Sequence, residues 1–119
     1  MRKIFFPGST ARFINKEANI NELRTLAHGI AKKNKNVDNI YLFGSYARGD
    51  AGVRSDADIL VILKKDDRRM MDRLDEFIAA FSDGPVPVDV LVWTKSEIDK
   101  ALGEKNSFIK RALEGIPLI

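Results

Sequence analysis

The chain has no cysteine, so it forms no disulfides and offers no thiol chemistry, which suits the cytoplasm as its compartment. It has a single histidine, His28, and no His/Cys cluster, which speaks against a zinc site. No Gly-Lys-Ser/Thr stretch occurs, so it carries no P-loop. Apolar runs fall well short of the roughly 20 residues that cross a bilayer, and no membrane association is expected. The basic start at Arg2-Lys3 leads into an apolar run broken at once by Pro7 and Gly8, so no signal peptide is expected. Internal repeats and low-complexity tracts are absent. What is present is 119 residues, 45% hydrophobic and 31% charged, the profile of one globular domain over residues 1–119. The net charge is only +3. Ten Lys/Arg face six Asp/Glu before residue 61, a modest excess that solvated surface lysines largely explain and that gives no reason to expect nucleic-acid binding.

The informative stretch lies between two apolar runs, Ile40-Tyr41-Leu42-Phe43 and Ile59-Leu60-Val61-Ile62-Leu63. Gly44-Ser45 follows the first run, a turn that can lay backbone N–H groups and a hydroxyl against phosphate oxygens. Ten residues later come Asp56 and Asp58, separated by Ala57. On a strand, residues i and i+2 share a face. Two carboxylates held together without a partner repel each other, and a divalent cation resolves that conflict. A third aspartate, Asp89, interrupts the apolar run Val86-Pro87-Val88-Asp89-Val90-Leu91-Val92-Trp93, where an ionised carboxylate calls for a partner or a metal. If the two strands are neighbours, Asp56, Asp58 and Asp89 meet as a metal–nucleotide site.

Gly44-Ser45, ten intervening residues, Asp56-Ala57-Asp58 and the later Asp89 resemble the nucleotidyltransferase superfamily that includes DNA polymerase β. The chain is most similar there to the minimal nucleotidyltransferases (MNT) that act as antitoxins to HEPN toxins, with Ala47-Arg48-Gly49 and Ser55 adding to the likeness. Ala57 stands where a branched aliphatic residue is more usual. The resemblance covers residues 40–93 and implies a small mixed β-sheet flanked by helices. It further implies Mg²⁺, two ions held by Asp56, Asp58 and Asp89, with ATP as substrate and its phosphates on Gly44, Ser45 and Arg48. It also implies Asp89 as general base. The implied acceptor is a tyrosine of a HEPN ribonuclease, in a hetero-oligomer whose toxin is silenced by AMP transfer. Transfer to a small-molecule hydroxyl, as in aminoglycoside-modifying relatives, and a binding-only antitoxin remain the alternatives.

The pattern predicts a helix from Asn19, capped with Glu22, to about Lys35, with Ile20, Leu23, Leu26 or Ala27 and Ile30 inward. Strands follow at Asn39 to Phe43, Ala57 to Leu63 (apolar on both faces, hence central) and Val86 to Trp93. Between the first two lie a short helix to Gly49 and a loop at Asp50 to Ser55. A helix capped by Asp66 or Asp67 runs to Ser82, with Met70, Leu74, Phe77, Ile78 and Phe81 facing the core. Thr94 and Glu97 form a capping box for a helix to Leu102. A last helix, Asn106 to Glu114, ends at Gly115 before an edge strand at Ile116. Alternating helices and strands make an α/β domain, with residues 94–119 as a helical and edge segment. Phe5, Phe6 and Phe13 read as packing residues, Met70-Met71 as core, His28 as structural, Asp50 as a loop residue, and Arg54 as flanking the site.

Overall fold

The computed structural model describes residues 16–48 and 56–119. Phe5, Phe6, Phe13, Asp50, Arg54 and Ser55 lie outside them. The element order is α1 (Lys16–Lys33), β1 (Val37–Phe43), α2 (Gly44–Arg48), β2 (Ala57–Leu63), α3 (Met70–Phe81), β3 (Val88–Thr94), α4 (Lys95–Gly103), α5 (Ser107–Leu113) and β4 (Ile116–Pro117). The four strands make one mixed sheet in the order β3-β2-β1-β4. β2 is parallel to β3, while β1 runs antiparallel to both β2 and β4. α3 is the crossover that a parallel pair requires.

Strand alternation divides the core into two layers. On one face Leu42, Ile59, Val61 and Val92 pack against Leu23 and Ala27 of α1 and Phe77 and Phe81 of α3. On the other, Leu60 and Ile62 pack with Ile98 and Ala101 of α4 and Ile109 and Ala112 of α5. β2 is central, as its two-sided apolar character predicts. Asp58 shares parity with Leu60 and Ile62, and Asp89 with Leu91 and Trp93, so both carboxylates project on the α4–α5 side.

Several local expectations are corrected by tertiary structure. Asn19 is no cap. It sits inside α1, buried, and its Nδ2 donates to the Tyr46 hydroxyl at 2.8 Å, fastening α2 to α1. The α3 cap expected at Asp66 or Asp67 is also absent. Asp66 instead accepts from the Arg68 backbone N–H and guanidinium, and α3 starts after Arg69, which makes no side-chain cap. Phe77 and Phe81 are buried, but Met71 and Ile78 are exposed, and the inward place goes to Arg73. β3 begins at Val88, because Pro87 has no N–H for the ladder, although its carbonyl accepts from Ala57 N. β1 begins two residues before expectation, at Val37, with an irregularity between Val37 and Asn39. His28 lies exposed on α1.

The capping box follows expectation. Thr94 and Glu97 form the full capping box, and the Asn106 side chain caps α5 at Ile109 N. α4 ends with Asn106 N donating to Ala101 O and Lys105 N to Leu102 O. That is the Schellman pattern, with Lys105 in the left-handed seat at φ 59°. Gly115 then turns the chain into β4 so close to β1 that a Cβ there would strike the Leu42 carbonyl.

Candidate active site

The site is built where β1 ends and β2 and β3 begin. The parallel register places Asp58 beside Asp89, and the antiparallel register places Asp58 opposite Phe43. The residue after Phe43 is Gly44, at φ +76°, in a backbone region that L side chains rarely adopt. A Cβ at Gly44 would collide with the Asp58 carboxylate. Glycine is therefore required twice, by the turn's conformation and by the close approach of the carboxylate. Tyr46, buried and bonded to Asn19, holds the turn onto the rest of the domain.

Asp58 is half-buried, while Asp56, just ahead of β2, and Asp89, second in β3, are exposed. The Asp58 carboxyl titrates above its ordinary range. Burial is the largest cause, followed by the negative charges of Asp89 and Asp56; Arg48 opposes them. Three aspartates thus share one electrostatic neighbourhood, with Arg48 facing them.

A cleft of about 720 Å³ opens onto this point. Phe43 and Asp58 line it from the sheet, and Gly44, Ala47 and Arg48 from α2. Phe108 and Arg111 of α5, with Glu114 at its C-cap, Gly115 and Ile116, form its other side. Such a volume falls within the roughly 300–1,000 Å³ of small-molecule sites. Asp56 and Asp89 are not among the lining residues. The side chain of Ser45 lies outside the described set, while its backbone belongs to α2.

Among the described residues, no three His, Cys, Asp or Glu side chains are drawn together as a ready cage for an ion. Mg²⁺ does not require one, since it usually takes one or two carboxylates and completes its shell with water and substrate phosphates. Hard oxygen donors side by side at Asp58 and Asp89, with Asp56 contributing to the same field, fit that mode of binding.

The sequence announces α5 as a helix but not as a wall of the site. Phe108 and Arg111 sit three apart on a short helix, a spacing that reads as an ordinary amphipathic face. Only the return of the chain through Gly115 to β1 brings that helix over the cleft. Among the described residues, no helix is long and apolar enough to cross a membrane.

Comparison with known proteins agrees with this architecture. The nucleotidyltransferase domain family matches residues 23–119. Among solved structures, the chain is similar to a Sulfolobus solfataricus protein provisionally assigned as a nucleotidyltransferase. The two are 27% identical over 84% of each chain, with a TM-score of 0.60. No curated protein matches the chain.

Proposed function

Since this chain belongs to the nucleotidyltransferase domain family, we propose that it transfers AMP from ATP to a hydroxyl of a partner protein, a tyrosine of a HEPN ribonuclease, and thereby acts as an antitoxin. The observation that carries the transfer chemistry is the β2–β3 register, which sets Asp58 beside Asp89 at the floor of the Gly44 turn. The protein acceptor rests on the resemblance of the Gly44-Ser45, Asp56-x-Asp58 and Asp89 pattern to MNT antitoxins.

In this reading Asp56, Asp58 and Asp89 would hold Mg²⁺, which when bound neutralises the triphosphate and acidifies the acceptor hydroxyl. The backbone at Gly44 and Ser45, with Arg48, holds the phosphates and fixes the α-phosphorus in front of the aspartates. Asp89 takes the proton of the acceptor hydroxyl. The acceptor oxygen bonds to the α-phosphorus as the bond to the α–β bridging oxygen breaks, and pyrophosphate leaves. The described part of the site supplies no covalent nucleophile, so transfer is direct and in line.

The test is to incubate the protein, ATP and Mg²⁺ with a HEPN partner and measure intact mass. One or more added AMP groups on a tyrosine, with loss of ribonuclease activity, is the expected result. Inhibition by the Asp56→Asn/Asp58→Asn/Asp89→Asn variant without any mass change would replace the enzyme with a binding-only antitoxin. Neither modification nor complex formation would overturn the protein-acceptor reading in favour of a small-molecule hydroxyl.

A further inference from the structure

The transfer chemistry leaves α5 without a role, although this helix forms a whole side of the cleft. Phe108 and Arg111, three residues apart, lie on one face of the helix and both line the cavity. Phe108 is 42% exposed, while Ile109 beside it is fully buried in the α4–α5 core. Phe43 meets Phe108 with ring centroids 5.6 Å apart and planes at 89°. In an edge-to-face pair each ring keeps at least one face clear of the other, so Phe108 keeps a face that Phe43 does not cover. Arg111 is exposed and makes no ion pair or side-chain hydrogen bond among the described residues. Glu114, one turn on, puts a carboxylate at the α5 end of the cleft, which disfavours phosphate there. Arg48 and the Gly44 turn mark the phosphate end.

The geometry points to α5 as the base-side wall of a nucleoside triphosphate site: the base stacks on Phe108, and Arg111 reaches the phosphates that run toward Gly44 and Asp58. This rests on the nucleotidyl-transfer reading and adds to it two binding residues from outside the sequence motif. The cleft is large enough to hold the whole nucleotide, and Phe108, beside Phe43, offers the base an aromatic face within it. Stacking does not depend on base identity, because every base has a π-face. Purine triphosphates are therefore expected to bind alike, with discrimination among them weak.

Calorimetry with MgATP and with magnesium tripolyphosphate, which has the charges but no base, separates the parts. Phe108→Ala is expected to weaken MgATP by about five-fold or more, about five-fold being the low end of what a stacked base contributes, and to leave tripolyphosphate unchanged. Phe108→Trp should bind MgATP at least as well as wild type. Phe108→Leu keeps an apolar contact with Phe43 but has no π-face, and should behave like the alanine variant, with melting temperatures showing that all three fold. Arg111→Ala should weaken both ligands. If Phe108→Ala binds MgATP normally, or loses MgATP and tripolyphosphate equally, the inference is overturned. Unchanged MgATP affinity with reduced transfer would assign α5 to the acceptor and overturn it too. These failures are distinct from failure of the underlying reading, in which wild type binds no MgATP, or binds it with no loss in Asp58→Asn.

Discussion

Arg73 should hold up a large part of this domain's stability while contributing nothing to its chemistry. Its guanidinium is 3% exposed and every branch is engaged. Nη1 donates to Glu97 Oε1 at 2.6 Å and Nη2 to Oε2 at 3.1 Å. Nε and Nη2 donate to the Arg68 carbonyl at 3.0 and 2.7 Å, and Nη2 also reaches the Asp66 carbonyl at 3.2 Å. One side chain thereby ties the β2–α3 loop and α3 to the capping box that opens α4. Breaking a buried pair by removing one partner costs about 3–5 kcal/mol. The Glu97 side chain is 36% exposed and can recover water, so the low end, about 3 kcal/mol, applies to Arg73→Ala. For a chain of this length the unfolding entropy is about 0.25 kcal/mol per degree, which makes the expected drop in Tm roughly 12 °C.

The acid dependence sharpens the test. The Arg73 guanidinium holds the Glu97 carboxyl below its ordinary value of 4.5. A depressed carboxyl contributes stability that is present above the unfolded value and lost as pH falls through the folded one. The gap between wild type and Arg73→Ala should therefore be constant above about pH 4.5 and narrow below it. Thermal melts followed by circular dichroism at several pH values measure both effects. A Tm within about 4 °C of wild type at pH 7, corresponding to about 1 kcal/mol, would refute the reasoning. At temperatures where Arg73→Ala remains folded its transfer kinetics should match wild type, since the network lies at the opposite end of β2 and β3 from Asp58 and Asp89.

Asp58→Asn should do the reverse, raising Tm at pH 7 in the presence of EDTA while abolishing transfer. Burial, Asp89 and Asp56 all oppose its charge, so the penalty grows as pH rises from the ordinary 3.8 through the raised value, and the two melting curves should converge as pH falls to 3.8 and below. Gly44→Ala should cost about 1–2 kcal/mol from left-handed backbone alone, and lose nucleotide affinity as the new Cβ displaces Asp58. Gly29→Ala on exposed α1, where a Cβ meets nothing, should instead stabilise by about 0.8–1 kcal/mol in denaturant titrations. Lys105→Gly should stabilise by up to about 1 kcal/mol, by relieving the left-handed seat of the α4 Schellman turn.

The parts of the fold legible in the sequence are those whose cause is local. β2 reads as central because Ile59 to Leu63 is apolar on both faces, and Thr94 and Glu97 announce their helix because a capping box closes within four residues. What was missed depends on distant partners. Asn19 and Glu22 have the spacing of a cap, yet the hydroxyl of Tyr46, far along the chain, gives Asn19 a buried partner, and α1 begins earlier. Arg73 has no local sign of burial, because Glu97 and the carbonyls that accept from it belong to other elements. Ile78 and Met71 look apolar and inward by composition, but the register of α3 is fixed by Phe77 and Phe81, and that turns them to solvent.

The same division explains how much of the candidate site could be read. Gly44, Asp56 and Asp58 lie within fifteen residues, and the i, i+2 spacing announces the two carboxylates as a pair, although the strand itself begins only at Ala57. Asp89 needed one non-local fact, that β3 lies parallel to β2, and α3 supplies it as a crossover. Phe108, Arg111 and Glu114 needed two: that α4 and α5 cover the face carrying Asp58, and that Gly115 lets β4 return tightly against β1. Carboxylates on neighbouring strands repel, so they are tolerated where solvent still reaches them, at the first residues of β2 and β3. The stretch beyond Asp58 is free to be wholly apolar and to hold the sheet together. The repulsion is thus confined to the mouth of the cleft, where a cation and a triphosphate would relieve it.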